Sequence, residues 1–229
     1  MITALIILSF FEFSNSYIVE DRIGLVSFYS QREYVEKHNI TFSVFGQKKF
    51  LDIFEIRLDV PSGITKGKFL LSDTIATMKI NPSEIFLNPS FSLSFEFPTG
   101  TTPATSDRLV ISPRLCLSRE LSENFSFIIL VSGNFSPNRT SKIYNTLYPH
   151  TFNEVLIFTG ANMKILRFLK IQGDIGSIYE NFRNIGFQPQ IKIIAGFNKL
   201  NIHLFSFMNL GGKIIRKGFG IGTSVMYSF

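Results

Sequence analysis

Bulky apolar residues recur at every second position in several segments of this chain. From Phe219 to Phe229, Phe, Ile, Thr, Val, Tyr and Phe alternate with Gly, Ser and Met, and from Phe91 to Phe97, Phe and Leu alternate with Ser and Glu. Because successive side chains of a β-strand point to opposite faces, each segment predicts a strand with one apolar and one small or polar face. The pattern favours an all-β fold.

The composition indicates which medium meets the apolar faces. Only 17 % of the 229 residues are charged, and the mean hydropathy is +0.21, whereas soluble domains carry about 25 % charged residues. After the N-terminus, no run approaches the roughly 20 consecutive apolar residues of a membrane-spanning helix. Since only helices and closed barrels satisfy their backbone polar groups in hydrocarbon, the sequence predicts an antiparallel transmembrane β-barrel.

The lengths and connections of the segments agree with a barrel of the bacterial outer membrane. The segments are long enough for the roughly 9 to 11 tilted residues that cross the apolar layer, and short turns alternate with longer loops. The longest loop, near residues 135–150, is expected outside the cell. We predict about twelve strands, near residues 22–30, 38–46, 49–60, 69–80, 84–97, 107–119, 125–134, 151–163, 167–179, 185–197, 200–210 and 217–229.

Charged residues occupy the face opposite the apolar one. In the third segment, Glu55, Arg57 and Asp59 alternate with Ile56 and Leu58, and such a charged row is tolerable only in a wet interior. About twelve strands leave a narrow, partly occupied passage, so these side chains either line it or pair with one another and fill it. The residues predicted to line the lumen are Glu55, Arg57, Asp59, Glu96, Arg114, Lys170 and Asp174.

The first residues have the character of an export signal. Met1 to Phe11 is uncharged and apolar, and small residues follow before Tyr17, which predicts a signal peptide over residues 1–16 and a barrel over 17–229. No Lys or Arg precedes the apolar run, so a buried first strand is the alternative.

Other classes of protein find little support in the sequence. One Cys and three scattered His show no metal-ligand spacing, and no cofactor is expected. His203 and Ser206 are three residues apart and point to opposite faces of a strand, which argues against a hydrolase. The net charge of +6 comes from single Lys and Arg residues, a distribution that favours lipid headgroups over nucleic acid as the partner.

Several motifs resemble one known family. The stretch Asn88 to Gly100, which ends in Pro-Thr-Gly, and the stretch Ile111 to Leu121 resemble the outer-membrane transporter family associated with the MetA pathway of phenol degradation. Ser118 to Leu121 is similar to the family's Ser-Lys-x-Leu turn with Arg in place of Lys. The strand of Asp73 is similar to its Gly-Asp strand, although Ser72 replaces the Gly.

The resemblance covers residues 70–229 and implies a twelve-stranded barrel with a transport role and no catalytic residues. In outer-membrane proteins generally, a C-terminal aromatic strand resembles the signal read by the barrel-assembly machinery. Val225, Tyr227 and Phe229 match that signal by position.

Two functions from different classes remain open at this point. The first is a passive or facilitated transporter for small solutes, apolar ones included. The second is a structural or adhesive barrel that acts through the loop near residues 135–150. A soluble lipid-binding barrel is a third reading, and it would leave the membrane fraction without detergent.

Overall fold

The computed structural model describes residues 21–32, 39–50, 53–82, 86–102, 104–105, 107–136, 154–180, 184–210 and 218–229. The predicted signal peptide, residues 1–16, lies outside these ranges, as does most of the loop near 135–150. The described residues form thirteen strands: β1 Arg22–Arg32, β2 Asn39–Phe50, β3 Phe54–Thr65, β4 Lys68–Leu71, β5 Thr74–Ile80, β6 Ser90–Phe97, β7 Val110–Ser122, β8 Phe125–Asn134, β9 Glu154–Leu166, β10 Leu169–Glu180, β11 Asn184–Phe197, β12 Leu200–Asn209 and β13 Gly218–Ser228.

Twelve of the strands close into an antiparallel ring. Neighbours in sequence pair with one another, except that β3 pairs with β5, and β13 pairs with β1 along its whole length. The short β4 pairs with the end of β3 only. The ring therefore has no open edge, which confirms the predicted closed barrel of about twelve strands. In the part of the chain that the structure describes, no helix is long and apolar enough to cross a membrane.

The two rims of the barrel differ in their connections. Asp21, Phe229 and the two-residue turns 123–124, 167–168 and 198–199 lie at one rim, called the turn rim below, where β2 ends at Phe50 and β5 at Ile80. The other rim, where β6 ends at Phe97 and β8 at Asn134 before longer connections to the next strands, is called the loop rim. In outer-membrane barrels the rim with short turns faces the periplasm, so the loop rim corresponds to the cell exterior.

Side-chain burial alternates along the strands as the sequence predicts. Leu58, Ile175 and Ile221 are 49 %, 62 % and 56 % exposed on the outside, while inward-facing Arg57 and Gln172 are almost fully buried. A continuous apolar exterior around a polar and packed interior is the arrangement that hydrocarbon requires of a barrel.

Several predicted boundaries were wrong, among them both ends of the third strand, which was predicted over 49–60 and runs from Phe54 to Thr65. β2 continues through Gln47 and Lys48, where a turn was expected, and the strand predicted to start at residue 84 begins at Ser90. The strand predicted over 69–80 is interrupted at Ser72 and Asp73. The interruption has a physical cause, since both residues hydrogen-bond to a loop from the neighbouring part of the barrel.

Candidate functional site in the barrel interior

The interior of the barrel has two chemically different walls. One, the charged wall, is built by inward side chains of β3, β5 and β7: Glu55, Arg57, Asp59, Lys79 and Arg114. The other, the apolar wall, is built by inward side chains of β1, β2, β8, β9, β10, β12 and β13: Val26, Phe28, Phe45, Ile128, Leu130, Leu156, Phe158, Ile178, Phe205, Phe207 and Met226. A solute inside the barrel would therefore meet ionic and apolar surfaces at once.

Ion pairs organise most of the charged wall. Arg57 donates from Nε and Nη2 to the two carboxylate oxygens of Asp59, at 2.8 and 2.5 Å, a bidentate geometry that fixes both side chains. Its guanidinium also lies 3.7 Å from the ring centroid of Phe45. Lys79 Nζ lies 3.6 Å from Glu55 Oε1. These contacts hold the charged groups against the strands.

A second polar group, the Asp174 cluster, lies on β10 and β11. Gln172 Nε2 donates to Asp174 Oδ2 at 2.7 Å, and Gln190 Nε2 lies 3.5 Å from the same oxygen. The positive charge of Lys192 interacts electrostatically with the Asp174 carboxylate. All four side chains are buried. Charged and polar groups therefore also occur on β10 and β11, between strands that carry the apolar wall.

Each inward Phe ring of the apolar wall that faces a glycine lies flat against it. Phe158 on β9 pairs in register with Gly176 on β10, and a Cβ at Gly176 would overlap the ring. Glycine leaves the space that the ring occupies, so the ring follows the wall instead of crossing the lumen. Asp174 lies over Gly160 in the same way. Three further pairs share the arrangement: Phe45 with Gly24, Phe205 with Gly222, and Phe207 with Gly220.

The described residues of the connection 98–109, which together are called the inward loop, cover the apolar wall near the loop rim. Ala104 is fully buried within the same apolar cluster, and its carbonyl oxygen accepts a hydrogen bond of 2.8 Å from Ser72 Oγ. Gly100 N donates to Asp73 Oδ1, and Thr74 N donates to Thr99 Oγ1, both at 2.9 Å. The two sequence motifs at Asp73 and at Pro-Thr-Gly therefore meet in space and anchor the loop.

The structure places six of the seven predicted lumen residues on the inner face. Glu55, Arg57, Asp59, Glu96, Arg114 and Asp174 are all at least nine-tenths buried there. Lys170 shares the face of Asp174, but it is exposed next to the turn at 167–168 and does not join the charged wall. Of the predicted assembly signal, Val225, Tyr227 and Phe229 are exposed on the outer face.

Sequence reasoning missed Lys79 and most of the apolar wall. Lys79 shares the inner face of β5 with Thr77 and alternates with exposed Met78 and Ile80, so a correct register for this strand would have found it. His203, Phe205 and Phe207 alternate with outward residues of β12 and face the interior. Within the described ranges, no group of His, Cys, Asp and Glu could hold a metal ion.

Comparison with protein-family models and with curated proteins finds no match. Among solved structures, an outer membrane channel from Pseudomonas putida F1 matches with a TM-score of 0.71 and 10 % identity, covering 93 % of this chain and 96 % of the channel. The NanC porin matches with a TM-score of 0.62, 8 % identity, and 90 % and 100 % coverage. The CymD monoaromatic hydrocarbon channel matches with a TM-score of 0.56, 8 % identity, and 92 % and 88 % coverage.

The chain has the fold of bacterial outer-membrane channels. Identities of 8–10 % establish the fold alone. The expected outer-membrane barrel is confirmed at this level, and the finer resemblance to the phenol-degradation family is not.

Proposed function

We propose that the protein is a passive channel of the bacterial outer membrane for small solutes that contain both an apolar and a polar part. The observation that carries the proposal is the division of one closed interior into the charged wall and the apolar wall. Solutes of this kind would exchange water for apolar contact on one side while keeping polar contact on the other. The similarity in fold to outer-membrane channels supports the same conclusion.

The passage is expected to be narrow. Inward side chains as large as Arg57, Lys192 and Phe45 are almost fully buried, and the inward loop covers part of the interior with Ala104. Twelve strands enclose an interior between the filled core of small barrels and the open channel of large porins. Small ions and monomeric solutes should therefore pass, and disaccharides should not.

The chain contains one cysteine, which gives a direct test. Cys116 faces the interior on β7 and is buried. In planar lipid bilayers the purified protein should conduct KCl, and a water-soluble methanethiosulfonate reagent should lower the conductance by attaching to Cys116. A Cys116→Ser variant should have the same conductance, and the reagent should not change it. Absence of conductance in the wild-type protein would overturn the proposal.

The adhesive alternative makes a different prediction in the same preparation. Its loop near 135–150 lies mostly outside the described residues, so it depends on the sequence alone. A barrel that never conducts, and whose surface binding disappears when residues 137–150 are deleted, would favour adhesion over transport.

We also propose outer-membrane lipids and the barrel-assembly machinery as partners. The exposed outer face offers Leu25, Val44 and Ile175 to acyl chains, and Val225, Tyr227 and Phe229 form an exposed apolar row next to the turn rim. A Phe229→Ser variant should reach the outer membrane in smaller amounts than a Phe219→Ser variant, which changes an equally apolar position of β13 away from that rim. Equal amounts of both variants would argue against a terminal signal.

A further inference from the structure

Arg114 differs from the other cations of the charged wall in its contacts. Arg57 is bound to Asp59, and Lys79 is paired with Glu55. Arg114 is 6 % exposed, and its Nε and Nη1 atoms have no hydrogen-bond partner among the described residues. A buried guanidinium without acceptors is costly, so its donors are available for a ligand.

The charges around Arg114 favour an anion. Arg57 and Asp59 are the charged residues that interact electrostatically with the Arg114 guanidinium. The Asp59 carboxylate already accepts two hydrogen bonds from Arg57. Arg57 and Arg114 together carry two positive charges, and Asp59 offers them one negative charge. The planar fork of an arginine matches a carboxylate, which can accept two parallel hydrogen bonds from it.

Neighbouring side chains add donors to the same place. Ser132 on β8 pairs directly with Arg114 in register, and its hydroxyl is buried without a partner among the described residues. Two residues further along both strands, Ser112 Oγ donates to Asn134 Oδ1 at 2.7 Å, and Asn134 Nδ2 remains unbonded to any described residue. A guanidinium, a hydroxyl and an amide N–H together can hold a carboxylate but would repel a cation.

The apolar wall begins immediately beyond these donors. Ser132 pairs with Leu156 on β9, and Cys116 pairs with Leu130 on β8. Leu130 and Leu156 are almost completely buried members of the apolar cluster. A ligand whose head reaches Arg114 would therefore direct its body toward Leu130 and Leu156.

We propose that Arg114 is the binding point, inside the barrel, for the carboxylate of a small monocarboxylate whose apolar or aromatic body extends toward Leu130 and Leu156. The inference rests on the proposed channel function and names the class of solute that this channel selects. It assigns Ser132 and Asn134 as the accessory donors.

Cys116 serves as a reporter of the charge in this part of the interior, to which Lys79 also contributes. It lies two residues from Arg114 on the same face of β7, about 7 Å along the strand. The probes are an anionic (2-sulfonatoethyl) and a cationic (2-trimethylammonioethyl) methanethiosulfonate, and the measured quantity is the ratio of their reaction rates at Cys116 by mass spectrometry. The wild-type protein should favour the anionic reagent.

An Arg114→Gln variant should lower this ratio about tenfold, because a charge at such a distance acts on the two reagents with opposite sign. Arg119→Gln is the matched control, since it removes the same charge from the same strand at an exposed position over Phe86, and it should leave the ratio unchanged. An equal effect of both variants, or no reaction of either reagent with the folded barrel, would overturn the site.

Solute selection is measured separately from conductance. In proteoliposomes, benzoate should enter faster than its neutral analogue benzamide through the wild-type protein after subtraction of protein-free leakage, and Arg114→Gln should remove this difference. If the variant still prefers benzoate, the inference about Arg114 is contradicted, but the proposed channel function is not. A protein with the expected rate ratio at Cys116 but no conductance would contradict the proposed function instead.

Discussion

The charged wall and the apolar wall obey the same strand alternation and yet are stabilised in different ways. On the charged wall, four of the five side chains form ion pairs, Arg57 with Asp59 and Lys79 with Glu55. On the apolar wall, Phe and Leu side chains contact many neighbours at once and rely on close fit, as Phe158 does over Gly176. The comparison teaches that an outer face of uniform chemistry can enclose an interior whose two halves respond differently to mutation.

The largest difference should follow from placing one carboxylate on each wall. Leu156→Asp puts an unpaired charge into a fully buried apolar position and should lower the free energy of unfolding by about 3 kcal/mol. Ser132→Asp introduces the same group one strand away, opposite Arg114, and should cost less than about 1 kcal/mol because a cation is present. Urea unfolding followed by heat-modifiable gel migration measures both. Equal losses of unfolding free energy would show that a carboxylate is tolerated no better beside Arg114 than on the apolar wall.

Breaking a pair within the charged wall should have the next largest effect. Asp59→Asn weakens the bidentate contact with Arg57 and should cost about 2 kcal/mol. Asp107→Asn, at an exposed position of the inward loop, provides the matched control and should change little. Adding Arg57→Met to Asp59→Asn should recover part of the loss in the same urea assay. Strictly additive losses would mean that the two side chains stabilise the barrel independently.

Close fit on the apolar wall can be tested with two glycines of one strand. Gly176→Ala forces the Phe158 ring from its position and should cost about 1 to 2 kcal/mol. Gly173→Ala adds the same methyl group to β10 where nothing lies within 4 Å, so it should be neutral or slightly stabilising. The urea concentrations at the unfolding midpoints of the two variants give the difference in stability. If Gly176→Ala is also neutral, the ring is not held by the glycine.

The smallest effect on stability is expected at the inward loop. A Cβ at Gly100 would lie 2.8 Å from the carbonyl carbon of Ser72 and 2.9 Å from Asp73 Oδ1. Gly100→Ala should therefore weaken the anchor of the loop over the apolar wall, lowering stability by less than about 1 kcal/mol and raising the mean single-channel conductance. Gly46→Ala, where nothing lies within 4 Å, should conduct as the wild-type protein does. A lower conductance in Gly100→Ala would show that the loop does not obstruct the passage.

Much of the fold was predictable because one side-chain period repeats along nearly all strands. The alternation of Glu55, Arg57 and Asp59 with Ile56 and Leu58 revealed both the strand and the direction of its faces. The break at Asp73 was not predictable, since its cause is a hydrogen bond with Gly100, 27 residues away. The alternation of residues along one strand does not reveal a contact with a residue so far away in the sequence.

The interior was predictable only where its residues contrast with the exterior. Arg114 and Asp174 stand out between apolar neighbours, whereas Phe205 alternates with exposed Leu204 and gives no contrast. Lys170 satisfies the alternation but lies beside a turn, where an inward direction no longer means burial. The fit of Phe158 over Gly176 depends on cross-strand register, which the sequence of either strand alone does not contain.

The pairing of a ring with a facing glycine makes the shape of the aperture adjustable. Phe158 and Gly176 occupy directly opposite positions of adjacent strands, so exchanging the two residues would keep the volume of the wall while moving one ring sideways by a strand spacing, about 4.8 Å. The same exchange is available for Phe45 with Gly24 and for Phe205 with Gly222. A lumen of fixed strand number could then acquire different cross-sections through paired substitutions, with the outer surface and its contact with lipid left as they are.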